Sequence, residues 1–283
     1  MSHPTHLQCG THRLDLSRPR VMGILNITPD SFVDGGRHFD FDLALAHARR
    51  MLADGADIID VGGESTRPGA KAVSERTEIA RVIPVIEALA AENMVISIDT
   101  MKPGVMRAAI AAGASLINDV RALQARGAID AVAGSGCAVC LMHMQGKPRT
   151  MQADPHYVDV VREIRDFLVA RALIAEGAGI ARDRIVIDPG FGFGKTRAHN
   201  LVLLRSLRVF AQTGYPVLAG LSRKATIGEI TGRPMEERMA GSVAAALAAI
   251  AHGAAIVRVH DVRETVDALK VWLAVETSTR PGK

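Results

Sequence analysis

Two carboxylates, Asp99 and Asp188, and one amide, Asn118, each stand where a short apolar run ends, as do the cationic or ligating groups Lys224, Arg258 and His260. A carboxylate in such a place can accept two parallel N–H bonds from a flat polar ligand, and the cations can hold an anion. More groups of this kind close other runs: Asn26, the stretch Glu64-Ser65-Thr66-Arg67, Asp119, His143 and Ser222-Arg223. Chemistry is therefore concentrated at a set of stops rather than spread along the chain.

Those stops define the elements. Val21 to Leu25 ends at Asn26, Ile58-Ile59-Asp60-Val61 at Gly62, Val95 to Ile98 at Asp99, and Ser115 to Ile117 at Asn118. Ala138 to Met142 ends at His143, Arg184 to Ile187 at Asp188, Pro216 to Ala219 at Gly220, and Ile256-Val257 at Arg258. Near-continuous apolar runs separated by helical patterns describe parallel strands buried on both faces. Eight of them with polar C-terminal ends predict an α/β fold, a (β/α)8 TIM barrel whose active face gathers every stop.

Helical patterns fill the gaps. They run from Asp42 to Ala53, from a Ser74 cap through Leu89, from Pro103 to Gly113, from Pro155 to Glu176, and from Asp261 to about Val275. No linker, longer repeat or low-complexity stretch interrupts them, so residues 1–283 read as one domain with its barrel core at about 20–276 and short polar tails. The longest strand-to-helix loops, 26–40 and 62–74, are rich in Gly, Pro, Asp and Ser and are expected to be mobile lids.

Composition narrows the partners. A net charge of +4 without any block of like charge, and only two Tyr and one Trp, argue against nucleic acid and for an anionic small-molecule substrate. No run is long enough to span a membrane, no signal-peptide core opens the chain, and three cysteines make no disulfide framework, so the cytoplasm is the expected compartment.

Taken together, the motifs Asn26-Ile27-Thr28-Pro29-Asp30-Ser31-Phe32, Asp60-Val61-Gly62-Gly63-Glu64-Ser65-Thr66-Arg67-Pro68-Gly69, Ser97-Ile98-Asp99-Thr100, Ile117-Asn118-Asp119, Met142-His143-Met144, Asp188-Pro189-Gly190-Phe191-Gly192-Phe193-Gly194-Lys195, Ser222-Arg223-Lys224 and Arg258-Val259-His260-Asp261 resemble the dihydropteroate synthase family. The resemblance covers Val21 to about Trp272 in the family's order. Val33, where the family more often has a small polar residue, and Ala225-Thr226 depart from its pattern.

The resemblance implies condensation of 6-hydroxymethyl-7,8-dihydropterin diphosphate with 4-aminobenzoate, releasing diphosphate, with Mg²⁺ as cofactor and a homodimer as the assembly. It implies a pterin pocket of Asp99, Asn118, Met142, Asp188, Phe193, Gly220, Lys224 and Arg258. A 4-aminobenzoate slot would use Phe32, Thr66, Arg67, Pro68 and Ser222, and the diphosphate Asn26, Arg67, Arg258 and His260, with Asn26 also holding the metal. Asp99, Lys224, Arg258 and His260 are the implied catalytic set.

Singly, each residue has a plainer reading. Asp99 and Asp188 could be strand-end caps, Asn26 a turn residue, Thr66-Arg67-Pro68 a solvated turn, and His143 a packed wall residue between Met142 and Met144. Pro189 to Thr196 ends Gly-Lys-Thr like a phosphate loop, but Pro189 stands where the first Gly should and has no N–H to donate. Cys137 and Cys140 are spaced Cys-x-x-Cys with no second pair, which favours packing over zinc or redox work. A folate-binding methyltransferase domain and a non-catalytic pterin-binding paralogue remain rivals. The first has no need for the diphosphate handling of Asn26, Arg258 and His260, and the second would be expected to lose one of the loop motifs.

Overall fold

The structure is a computed structural model that describes residues 4–27, 37–65, 72–146 and 150–278, with 37–40 by backbone alone. An antiparallel hairpin, β1 (His6–Cys9) and β2 (His12–Asp15), precedes the barrel. The barrel strands are β3 (Arg20–Asn26), β4 (Ile58–Gly62), β5 (Val95–Asp99), β6 (Leu116–Asp119), β7 (Ala138–Met142), β8 (Ile185–Asp188), β9 (Leu218–Ala219) and β10 (Ile256–Val259). They form an eight-stranded parallel sheet in the order β8-β7-β6-β5-β4-β3-β10-β9. A parallel bridge between Ile187 and Val217 closes β8 onto β9, completing the predicted barrel.

Helices follow every barrel strand: α1 (Arg37–Ala53), α2 (Glu75–Ala90), α3 (Pro103–Ala111), α4 (Ala128–Ala133), α5 (Val160–Gly177), α6 (Arg197–Arg205), α7 (Leu207–Ala211), α8 (Ala225–Thr231), α9 (Met239–Ala251) and α10 (Val262–Thr277). The caps read from the sequence are present, since Ser74 accepts the Thr77 N–H and Pro103 takes the first position of α3. Outward strand residues such as Ile59, Ile96, Ile117 and Val139 pack against these helices in one large core. Inward residues alternate with them, as a period of two requires.

Several expectations shift. Helix α1 begins at Arg37 rather than Asp42. Helix α5 begins at Val160 rather than near Pro155, because Asp159 accepts the Val161 and Arg162 N–H groups and fixes the start there. Asp261 stands at the head of α10 but makes no side-chain cap, its carboxylate being bonded to Arg223. The N-terminal stretch is no polar tail either. Leu7, Cys9 and Leu14 are buried against the inward residues Met22, Ile58, Val95, Leu116, Ala138, Val186, Leu218 and Ile256, so the hairpin plugs the barrel at the N-terminal ends of its strands. Arg20 and Asp57 pair at 2.8 Å where the hairpin joins β3. The loops proposed as lids fall mainly on residues 28–36 and 66–71, which lie outside the described residues.

Candidate active site

At the C-terminal ends of the strands the inward residues become polar. Asp60 on β4, Asp99 on β5, Asn118 on β6 and Arg258 on β10 converge, and Asp60 is fully buried. Arg258 donates from Nε to Asp60 Oδ2 at 2.5 Å and from Nη2 to Asp99 Oδ2 at 2.8 Å, while Asn118 Nδ2 donates to the same Asp60 oxygen at 3.2 Å. Asp60 Oδ1, Asp99 Oδ1 and Ser97 Oγ are buried without a hydrogen-bond partner among the described residues. Unpartnered acceptors are costly in a closed interior and useful where a ligand brings donors.

Charge in this floor is strained by burial. Desolvation pushes the Asp99 carboxyl up to about 7, with the Arg258 guanidinium opposing and the Asp60 and Glu78 carboxylates adding to it. Burial works to discharge Arg258 as well, but Asp60 and Asp99 more than offset it and hold the guanidinium firmly protonated.

The wall beside the floor is the glycine loop after β8. Asp188 accepts the Gly190 N–H at 2.7 Å, and Gly190 itself (φ +71°) passes so close to β7 that a Cβ there would sit 2.0 Å from the His143 carbonyl oxygen. The five carbonyls from Gly190 to Gly194 all accept bonds, in turn from Phe193 N, Lys224 Nζ, Gln152 Nε2, Lys195 Nζ and Tyr157 OH. Such complete satisfaction fixes the loop without regular structure. Lys224 also lies 4.7 Å from the centre of the Phe193 ring. Burial lowers the Lys224 ammonium to about 8, with Asp188 resisting and Arg258 assisting. Burial raises the Asp188 carboxyl, with Lys224 and the Gly190 N–H opposing. Met142 pairs with Asp188 in the β7–β8 register, and Gly220 leaves room beside Lys224 Nζ and the Arg258 stem.

The rim is cross-linked between neighbouring strand ends. Ser222 Oγ and His260 Nδ1 are 3.0 Å apart, and the His260 N–H also donates to Ser222 Oγ at 3.2 Å. Arg223, held in the left-handed region at φ 56°, makes a two-point ion pair with Asp261, and its N–H and carbonyl are bonded by Ser242 and Arg238. Those bonds offset the backbone strain. Asn26 sits over Gly62, where a Cβ would lie 3.5 Å from its Oδ1. Glu64, at the root of the loop after β4, pairs with Lys102, which also pairs with buried Glu78.

The structure thus brings Asp99, Asn118, Met142, Asp188, Phe193, Gly220, Lys224 and Arg258 into one basin with Ser222, His260 and Asn26 around it. Arg258 is held between the Asp60 and Asp99 carboxylates. Phe32, Thr66, Arg67 and Pro68 lie outside the described residues. Asp60 is the site residue that sequence reasoning passed over. Its signal was a lone carboxylate on the inward register of an apolar strand, one pleat below the stop.

His143 is a packed wall residue, edge-on to Phe167 at 5.0 Å and bonded by Lys195 Nζ at 3.1 Å, and burial lowers it to about 3. The Gly-Lys-Thr stretch holds no phosphate cradle: Gly190 and Gly192 N–H groups bond to Asp188 and Asn200, Lys195 is buried against His143, and Thr196 caps α6. Cys9, Cys137 and Cys140 are free and buried. Among the described residues no group of three or more His, Cys, Asp or Glu could hold a metal ion, and no helix is long and apolar enough to cross a membrane.

Comparison with known proteins agrees with this geometry. The profile of the family described as pterin binding enzyme matches residues 22–260. The chain is 52% identical to the dihydropteroate synthase of Haemophilus influenzae over 262 residues, which are 92% of this chain and 95% of that protein. The solved structure of Xanthomonas albilineans dihydropteroate synthase with 4-aminobenzoic acid superposes with a TM-score of 0.92 at 56% identity, covering 98% of this chain and all of that one. Burkholderia cenocepacia dihydropteroate synthase complexed with 7,8-dihydropteroate gives 0.89 at 53% identity, covering 98% of each chain. A buried basin of acceptors backed by two cations, carried on a barrel shared nearly end to end with these enzymes, places the chain in the dihydropteroate synthase family of pterin-binding enzymes.

Proposed function

We propose that the basin carries out the family's condensation, joining 6-hydroxymethyl-7,8-dihydropterin diphosphate to 4-aminobenzoate with release of diphosphate. The pterin edge presents amino and ring N–H groups, which the acceptors Asp188, Asp99 and Asn118 suit. Lys224, close enough to Asp188 to interact with its charge, would donate to the ring carbonyl or N5, with Met142, Phe193 and Gly220 forming the slot. The observation that carries this reading is the pair of buried carboxylate oxygens without a partner among the described residues, Asp60 Oδ1 and Asp99 Oδ1, beside a guanidinium already paired with both side chains.

The reaction breaks the methylene C–O bond, whose electron pair leaves with diphosphate, and the aniline nitrogen supplies the pair for the new C–N bond and loses one proton. Once Asp99 is ionised, three carboxylates, Asp60, Asp99 and Asp188, outnumber the cations Arg258 and Lys224 by one, and this excess favours the pterin-stabilised cation electrostatically. His260 at the rim, with Arg258 behind it, would face the departing diphosphate. Ser222, bonded to His260, would then link the diphosphate side to the 4-aminobenzoate slot, the rest of which we assign to Phe32, Thr66, Arg67 and Pro68. The amine is neutral near pH 7, so no strong base is required of the site.

Mg²⁺ fits through Asn26, whose amide oxygen is a hard donor at the rim, provided that phosphate and water supply the other ligands. When bound, it would neutralise charge on the leaving diphosphate. A homodimer fits the exposed apolar residues Leu201 and Val202 on α6, Ile230 on α8 and Met239 on α9. Three free cysteines suit the reducing cytoplasm.

The test is direct. Purified protein with Mg²⁺, the pterin diphosphate and 4-aminobenzoate should release diphosphate and dihydropteroate in equal amounts, and a chelator should stop both. Diphosphate without dihydropteroate would make the protein a hydrolase, and no turnover would remove the reading.

A further inference from the structure

A fully buried carboxylate inside a barrel strand needs a reason, because an ordinary core position would hold a Val or Ile there. Asp60 has neighbours that supply one. Its Oδ2 takes bonds from Arg258 Nε and from Asn118 Nδ2, so one oxygen ties β4 to β6 and to β10. The other oxygen is buried and has no partner among the described residues. Directly beside Asp60 in the β4–β5 register is Ser97, whose hydroxyl is likewise without a partner among the described residues, so no packing demand explains the charge.

We infer that Asp60 is a positioning residue for ligand recognition: it fixes the Asn118 amide with its oxygen turned to the pocket and anchors Arg258 inside the barrel. A carboxylate paired with a guanidinium can only accept, so the Asn118 atom 3.2 Å away must be the NH₂ group. The amide oxygen is thereby committed to the other side. Without that constraint an amide can rotate by half a turn and offer a donor where the pocket needs an acceptor. Asn118 then joins Asp99 and Asp188 as a row of acceptors, a floor selective for ligands that present consecutive N–H groups. Arg258, held by Asp60 and Asp99 together, contributes charge to the basin without swinging out to the rim.

This rests on the pterin reading above, and the experiment separates the two. Calorimetry of the parent enzyme with the pterin diphosphate comes first, and an absence of binding there would overturn the functional reading and this inference with it. Given binding by the parent, Asp60→Asn keeps the shape of the side chain but can present an NH₂ as well as an oxygen, so it no longer dictates which way the Asn118 amide faces. It should raise KM for the pterin diphosphate by about 10- to 100-fold, the usual worth of a hydrogen bond to a charged group. KM for 4-aminobenzoate at saturating pterin diphosphate should stay within about twofold, a split that general loosening of the barrel would not give.

The transposed variant Asp60→Asn/Asn118→Asp restores an amide-to-carboxylate bond and again leaves an acceptor oxygen for the pocket, so it should bind the pterin better than either single variant. Unchanged pterin affinity in Asp60→Asn, or a transposed variant no better than the singles, overturns the inference. Should Asp60→Asn fail to fold, Asn118→Asp and Asn118→Ala decide. With Asp60 in place, Asn118→Asp brings two carboxylates together and should bind the pterin worse than Asn118→Ala, and equal or tighter binding rejects the role of Asp60.

Discussion

Within one or two pleats six of the eight barrel strands change their inward chemistry: Met22 gives way to Asn26, Ile58 to Asp60, Val95 to Asp99, Leu116 to Asn118, Val186 to Asp188 and Ile256 to Arg258. Two successive inward positions are separated by only about 6.6 Å along a strand, so an apolar plug and a charged basin lie in direct contact. The lower layer, sealed by Leu7, Cys9 and Leu14 of the hairpin, is ordinary hydrophobic core. The upper layer holds buried carboxylates with oxygens that have no partner among the described residues, an arrangement that costs stability. The two ends teach that the same strands separate the duties of folding and recognition by position. They also depend on each other, because the dry plug keeps the dielectric low beneath the site and so strengthens each charge pair above it.

The largest expected effect tests the upper end. Asp188→Ala would leave two ligand N–H donors unpaired in a closed pocket, about 3 kcal/mol or roughly 100-fold in pterin diphosphate affinity. Its melting temperature should change little, since relief of a desolvated carboxyl is opposed by loss of the acceptor for the Gly190 N–H. Calorimetry and a thermal melt on the same sample check both halves. Unchanged affinity, or a large fall in stability, would break the division between the ends.

The lower end should respond in the opposite sense. Leu7 is fully buried in the plug, and Leu7→Ala should cost about 2–5 kcal/mol of folding stability through lost burial and a residual cavity. Measured well below its melting temperature, kcat/KM should match the parent. If Leu7→Ala instead raises KM for the pterin while remaining folded, the plug shapes the site directly and the separation is less clean than the residue layers suggest.

Legibility in the sequence follows the same line. The eight strands and their stops were readable because both faces of each run are buried, so Ile58-Ile59 or Val139-Cys140-Leu141 carry an uninterrupted apolar signal. Ser74 and Pro103 marked helix starts through local chemistry that needs no tertiary partner. Residues at the stops, such as Asn118, Asp188 and Lys224, could be picked out, but their partners could not. That Arg258 leans on Asp60, 198 residues away, is set by barrel closure and leaves no local trace. The hairpin was hidden for a related reason: its strands are four residues each and mix His6, Gln8, His12 and Arg13 with the three side chains that reach the plug. Asp261 looked like a helix cap because its type suits one, whereas Arg223 on the neighbouring strand end claims it.

The smallest effect is a matter of pH and belongs to the upper end alone. In the free enzyme burial puts the Asp99 carboxyl at about 7, against the pull of Arg258, and the Lys224 ammonium at about 8, against the pull of Asp188. As pH rises through about 7, Asp99 loses its proton and becomes the acceptor the ligand needs, and as pH rises through about 8, Lys224 loses its charge. The profile of kcat/KM for the pterin diphosphate should therefore be a narrow bell with limbs near those values. Ligand N–H groups favour the Asp99 anion, so binding near pH 7 should release a proton, visible as a dependence of binding heat on the buffer's ionisation enthalpy. Stability runs the other way. A carboxyl raised in the folded state binds its proton more tightly there than in the unfolded chain. Its contribution to folding is therefore full below the usual value of 3.8 and is lost as pH rises through about 7. Asp99→Asn should remove the acid limb and flatten that stability slope together, while Leu7→Ala should leave both limbs in place. An acid limb that survives Asp99→Asn would assign it to another group and sever this link between the buried charge and the ligand.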